Sequence, residues 1–229
     1  MIKIEKLTLH DSTLIPAIRG MRNPMNSWEK SDSYNGFDCT ACGHIERDGI
    51  CSPGDPEREH CYKYYGFELG KNDLSLMQRL VNAGTDHSKF MRMITVSMDI
   101  TAPLYWWKEF DTYKIGVVRN SCSTMHKIHT KPFTTNDFSC DDPENIKCIV
   151  EACEELRKTY LKTQDKKYWI ALIQLLPESY NQKATVMLNF QVLRNMYHAR
   201  KNHKLSEWLT FCHIIKEYLP YSELITMED

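Results

Sequence analysis

The chain has 229 residues, 42% hydrophobic and 26% charged, with a formal net charge of -1. That composition is of a folded chain, one large domain or one domain with an insertion, able to bury roughly 70–75% of its unfolded surface without disulfides. Near-zero charge gives no support to a nucleic-acid or acidic-membrane partner. The longest apolar stretch, Tyr168 to Leu176, falls well short of the ~20 residues that a membrane span requires.

In chain order, the opening MIKIEKLTLH alternates apolar and charged residues and predicts a strand, with Ile2, Ile4 and Leu7 near one face. It has no apolar core of the signal-peptide kind. Nine cysteines without such a signal point to reduced thiols and a cytoplasmic setting, and the odd count argues against a closed disulfide framework.

Met21 to Gly70 is rich in Gly, Pro, Ser, Asp and Cys and shows no helical period. It is expected to be an irregular Cys-rich insertion into a domain made of residues 1–20 and 71–229. Within it, Cys39-Thr-Ala-Cys42 has the knuckle spacing that brings two thiolates to one tetrahedral zinc, and Cys51 and Cys61 complete a candidate ligand set. The second pair is too widely spaced for a second knuckle, so reduced loop cysteines and a structural zinc remain equal alternatives.

Asn72-Asp73 is expected to cap an amphipathic helix with Leu74, Met77, Leu80 and Val81 on one face, and Gly84 to end it. Residues 92–102 alternate as a half-buried strand, and Pro103 is expected to open the next helix. A longer helix follows Asp142-Pro143-Glu144, with Ile146, Ile149, Val150, Cys153, Leu156 and Tyr160 as its stripe. Further helices are predicted over Lys167–Leu176, about Thr185–Arg200 and about Leu205–Leu219. Strands early and helices late indicate an α+β fold.

Two segments carry candidate chemistry. The first is the aromatic, charge-interleaved run from Thr101 to Ile115, followed by Asn120-Ser-Cys-Ser-Thr-Met-His126. Such density suits a planar ligand, although a Trp-Trp pair is more often core. The second is Leu176-Pro177 followed by Asn189, Asn195 and Arg200. On one continuous helix Asn189 and Arg200, about three turns apart, share a face. Asparagines in an apolar helix point to specific hydrogen bonds, against the plainer reading of solvent-facing amides.

Together these segments resemble the flavin-dependent thymidylate synthases over roughly residues 72–225. The spacing of Leu176-Pro177, Asn189, Asn195 and Arg200 is similar to that family's, as is the ending Ile-Ile-Lys-Glu-Tyr-Leu-Pro220. The resemblance implies a small central antiparallel sheet with helices, and a homotetramer with flavin sites between subunits, to which the helix around Trp106-Trp107 would contribute. It implies FAD contacts at Asn189, Asn195, Gln191 and Tyr113, and pyrimidine-nucleotide contacts at Arg200, Ser123, Lys114 and Asn120. NADPH would reduce the flavin and a methylene-tetrahydrofolate would supply the carbon.

The central signature departs from the family pattern. Thr112-Tyr113-Lys114 stands where the family has Arg-His-Arg, Met125 where it has a second nucleotide arginine, and Gln191 where it has a flavin-contacting arginine. Loss of two phosphate-gripping arginines implies roughly 3–6 kcal/mol, with Lys108, Lys114, Arg119 and Lys127 as nearby replacements. The resemblance therefore implies either a divergent enzyme of deoxythymidylate synthesis or a non-catalytic nucleotide-binding descendant acting as sensor, sponge or regulator. A third reading makes the Cys-rich insertion a zinc module for a partner.

Overall fold

A computed structural model describes residues 2–37 and 65–228. The chain runs β1 (Lys3–Leu9), α1 (Leu14–Arg22), β2 (Tyr34–Phe37), β3 (Tyr65–Glu68), α2 (Lys71–Asn82), β4 (Thr95–Pro103), α3 (Leu104–Phe110) and β5 (Val118–Ser121). It continues with α4 (Glu144–Thr163), α5 (Lys166–Leu175), β6 (Asn181–Asn189), α6 (Phe190–Arg200), α7 (Ser206–Tyr218) and α8 (Glu223–Thr226). The described elements form two compact units, one of residues 2–9 and 95–227, the other of the described residues between 10 and 94 together with residue 228. Cys39, Cys42, Cys51 and Cys61 lie outside the described residues. Among the described residues no cluster of three or more His, Cys, Asp or Glu is placed to hold a metal, and no helix is long and apolar enough to cross a membrane.

The larger unit is built on an antiparallel sheet in the order β1-β4-β6-β5. Alternation in β4 puts Val96, Met98, Ile100 and Ala102 into the core and leaves Thr95, Ser97, Asp99 and Thr101 on the other face. In β1 the register shifts between Glu5 and Thr8, where Lys6 takes a left-handed φ of 54°. This bulge turns Leu7 and Leu9 to the side that Ile2 and Ile4 occupy, which explains their uneven spacing.

Three predicted elements are corrected. Residues 181–189 form β6, with Gln182, Ala184, Val186 and Leu188 buried in strict alternation, so the expected helix over Thr185–Arg200 begins only at Phe190. Pro103 ends β4 as the extended N-cap of α3 rather than opening the helix. Asp73 is not a cap but a fully buried residue inside α2; the capping carboxylate is that of Asp32, which accepts from the N–H groups of Asn72 and Asp73.

Trp106 and Trp107 are buried within the larger unit. Trp106 packs on Trp208 at 4.7 Å between ring centroids and on Phe110 at 5.2 Å, and the Trp107 indole N–H donates to the Gln182 carbonyl at 2.9 Å. Their faces are spent on this core and are not available to the subunit interface expected of them. A second cluster, Ile128, Phe133, Phe138, Ile146, Cys153 and Leu172, forms where α4 and α5 meet the chain segment after β5. In the smaller unit, α1 and α2 are joined by the buried pair of Arg22 Nε and Asp73 Oδ1 at 2.6 Å.

Candidate functional site

The site residues anticipated on α6 divide between its two ends. Asn189 is the N-cap: its φ of -117° and ψ of 168° are extended, and its Oδ1 accepts from the Val192 N–H at 3.0 Å. Asparagine is favoured there because its side-chain oxygen satisfies a helix-end N–H. Asn189 therefore precedes the helix and shares no helical face with Arg200. Its Nδ2 stays free among the described residues. Gly116 lies against that amide, with φ +81°, and a Cβ there would fall 2.6 Å from Nδ2. A mainly apolar cavity of about 240 Å³ opens beside Asn189, between Gly116, Val118 and Met187. One turn into α6, buried Gln191 donates through Nε2 to Oδ1 of exposed Asn195 at 3.1 Å, an i,i+4 pair.

Arg200, in the last turn of α6, is held by four side chains. Nη1 meets Glu109 Oε2 at 2.6 Å and His203 Nε2 at 2.9 Å, and Nε donates to the Tyr113 hydroxyl at 3.1 Å. The guanidinium also lies over the Trp208 ring at 4.8 Å. Glu109 Oε2 accepts a second bond, from the Trp208 indole N–H at 2.9 Å. The nearby Cys212 thiol is pushed up to about 12 by burial, with the Arg200 charge opposing. It is a neutral core group, not a nucleophile.

The structure thus joins Tyr113 to Arg200 and Gln191 to Asn195, but it does not gather the anticipated residues into one pocket. Lys114, the residue after Tyr113, is exposed and unpaired among the described residues. Asn120 is on β5 opposite Thr185, and Ser123 closes the following turn by accepting from the N–H groups of Met125 and His126. Of the other nearby cations, Lys108 is taken by Glu178 at 2.6 Å, and Arg119 by Asp111 at 3.1 Å and the Trp107 ring at 4.5 Å.

Sequence reasoning missed Glu109, His203 and Trp208. Glu109 stands inside the aromatic run already singled out, but no local spacing links it to an arginine 91 residues later.

No protein-family model matches the chain, and no curated protein matches it by sequence. Solved structures do. Thymidylate synthase X (ThyX) from Helicobacter pylori, crystallised with FAD and dUMP, is 17% identical, with a TM-score of 0.66 over 100% of this chain and 98% of that one. A second H. pylori structure, of flavin-dependent thymidylate synthase ThyX complexed with FAD and dUMP, is 18% identical with the same score and coverage. The fold is that of ThyX. Thr112-Tyr113-Lys114 follows α3 and its Asp111 C-cap, with Tyr113 bonded to Arg200 and Lys114 exposed.

Proposed function

We propose that this chain is a divergent flavin-dependent thymidylate synthase-type protein that binds FAD and a pyrimidine deoxynucleotide. The observation that carries the reading is the full-length likeness to two structures crystallised with FAD and dUMP. The residues present suit a flavin: the free Nδ2 donors of Asn189 and Asn195 match carbonyl acceptors, and the apolar walls at Gly116 and Val118 match a planar ring. By resemblance Asn189, Asn195, Gln191 and Tyr113 are assigned to the flavin and Arg200, Ser123, Lys114 and Asn120 to the nucleotide, although the single chain does not gather either set into one pocket. Bound flavin would supply hydride transfer, with NADPH as reductant and a methylene-tetrahydrofolate as carbon donor. A homotetramer and a cytoplasmic location belong to the same reading.

A second reading, a non-catalytic nucleotide-binding descendant, is favoured by one observation. Arg200 is neutralised by Glu109 where the resemblance places a nucleotide contact.

Visible absorbance after addition of FAD and removal of excess tests the first reading. A retained flavin band, bleached by NADPH and weakened in Asn195→Ala, is expected. No retained flavin at saturating FAD overturns it. Retained flavin that NADPH does not bleach, with dUMP bound, selects the second reading.

A further inference from the structure

The loop of residues 122–133 and the start of β6 enclose a cavity of about 480 Å³, within the range of small-molecule sites. Two of its lining cations, Lys127 and Lys131, are exposed, and neither ammonium is paired among the described residues. The third, Lys183, is committed to Asp99 at 3.2 Å and Glu5 at 3.8 Å. The lining carboxylate of Asp137 accepts from the Thr134 N–H at 2.8 Å and hydroxyl at 3.0 Å, neutral donors that leave its negative charge in place. Set against that one carboxylate, the two unpaired lysines leave the lining net positive.

The rest of the lining suits a ring with a polar tail. Phe133 and Tyr180 form an aromatic wall, their centroids 6.3 Å apart and their planes at 58°. Burial raises the Tyr180 phenol above its ordinary value, so it stays a neutral donor. Ser123 Oγ accepts two backbone N–H groups, which leaves its own proton to donate. By contrast, an anion arriving at Arg200 must displace Glu109.

We infer that this cavity binds a phosphomonoester carrying a planar ring, with Lys127 and Lys131 neutralising the phosphate, Ser123 donating to it and Phe133 and Tyr180 flanking the ring. The inference deepens the nucleotide reading, on which it rests only for the identity of the ring. Lysines act here as point charges rather than bidentate forks, so affinity falls with added salt.

Phenyl phosphate tests the site by ligand-observed NMR titration at low ionic strength. Wild-type protein should bind it more tightly than phenol. Lys127→Ala/Lys131→Ala should lose at least about tenfold in affinity, and Lys127→Arg/Lys131→Arg should retain binding. Both lysines are exposed, so the melting temperature should not move; a double variant that binds like wild type, or no preference for phenyl phosphate over phenol, overturns the proposal. Titration with dUMP separates the two claims. If dUMP fails while phenyl phosphate still depends on the lysines, the nucleotide reading falls and the anion site stands. If dUMP binds but phenyl phosphate is indifferent to the lysines, the site falls and the nucleotide reading stands.

Discussion

Glu109 Oε2 is shared between the Arg200 guanidinium at 2.6 Å and the Trp208 indole at 2.9 Å, so one carboxylate oxygen fixes both the arginine and the aromatic core beneath it. The pair is partly shielded, with side-chain exposures of 19% for Arg200 and 33% for Glu109. Both donors hold the carboxylate in place, and the carboxylate cancels the charge that an incoming anion would use. Glu109→Gln keeps an acceptor for the indole and removes the negative charge. It should raise affinity for dUMP several-fold by titration calorimetry and lower stability by about 1–2 kcal/mol through the weakened bond to Arg200. Unchanged affinity would show that Glu109 does not compete for Arg200.

Asn189 and Asn195 separate fold from ligand. Asn189 caps α6 through Oδ1 while its Nδ2 is free, so Asn189→Ala should cost about 1 kcal/mol in denaturant unfolding as well as flavin occupancy. Asn195 is exposed and accepts from Gln191, so Asn195→Ala should lower occupancy with little change in unfolding. Equal flavin content in wild type and both variants would remove the flavin assignment from this end of α6.

Gly116 offers a test at the same place from the opposite side. Its φ of +81° disfavours any side chain, and a Cβ would press on Asn189 Nδ2 at 2.6 Å. Gly116→Ala should destabilise by about 1–2 kcal/mol. It should also reduce flavin content beyond the loss in Asn195→Ala. A variant with wild-type stability and flavin content would mean that this close approach carries no function.

Much of this architecture is legible in the sequence where one period dominates. The alternation of β4 and the apolar stripe of α4, from Ile146 to Cys153, required no tertiary information. β6 was hidden although Ala184, Val186 and Leu188 alternate with Lys183, Thr185 and Met187. Ala, Leu and Met are also strong helix formers, and the strand runs into α6 with only Asn189 between the two geometries. β5 is four residues long, too short for a period to register. The Arg200 cluster was legible only in part: Tyr113 and Arg200 were singled out through the family resemblance, but their direct bond and the Glu109 and Trp208 contacts that hold Arg200 are purely tertiary.

In the smaller unit, Asp73 is fully buried and accepts from Arg22, Ser31 and Ser33, and from the N–H groups of Asp32 and Ser33. Asp73→Ala would strand the Arg22 guanidinium, whose side chain is 4% exposed, and should cost about 3–5 kcal/mol in chemical unfolding of this unit. A loss below 1 kcal/mol would mean that the Arg22 bonds to the Ser27 and Lys30 carbonyls compensate for its charge.

Acid should act through two carboxylates. The Arg157 guanidinium, at 2.7 Å, holds the Glu154 carboxyl at about 2 instead of the ordinary 4.5, burial opposing and the Phe133 N–H assisting. Burial tends to raise Asp73, but its bonds from Ser33, Ser31 and Arg22 outweigh that and hold it below its ordinary 3.8. Both groups bind protons more weakly folded than unfolded. Their contribution is therefore complete above the unfolded values and is lost as pH falls through the folded ones. Stability by urea titration should decline from about pH 4.5 toward pH 2. Glu154→Gln should flatten that decline while lowering stability at neutral pH. An acid limb of the same slope in wild type and variant would place the titration elsewhere and leave the Glu154–Arg157 pair energetically silent.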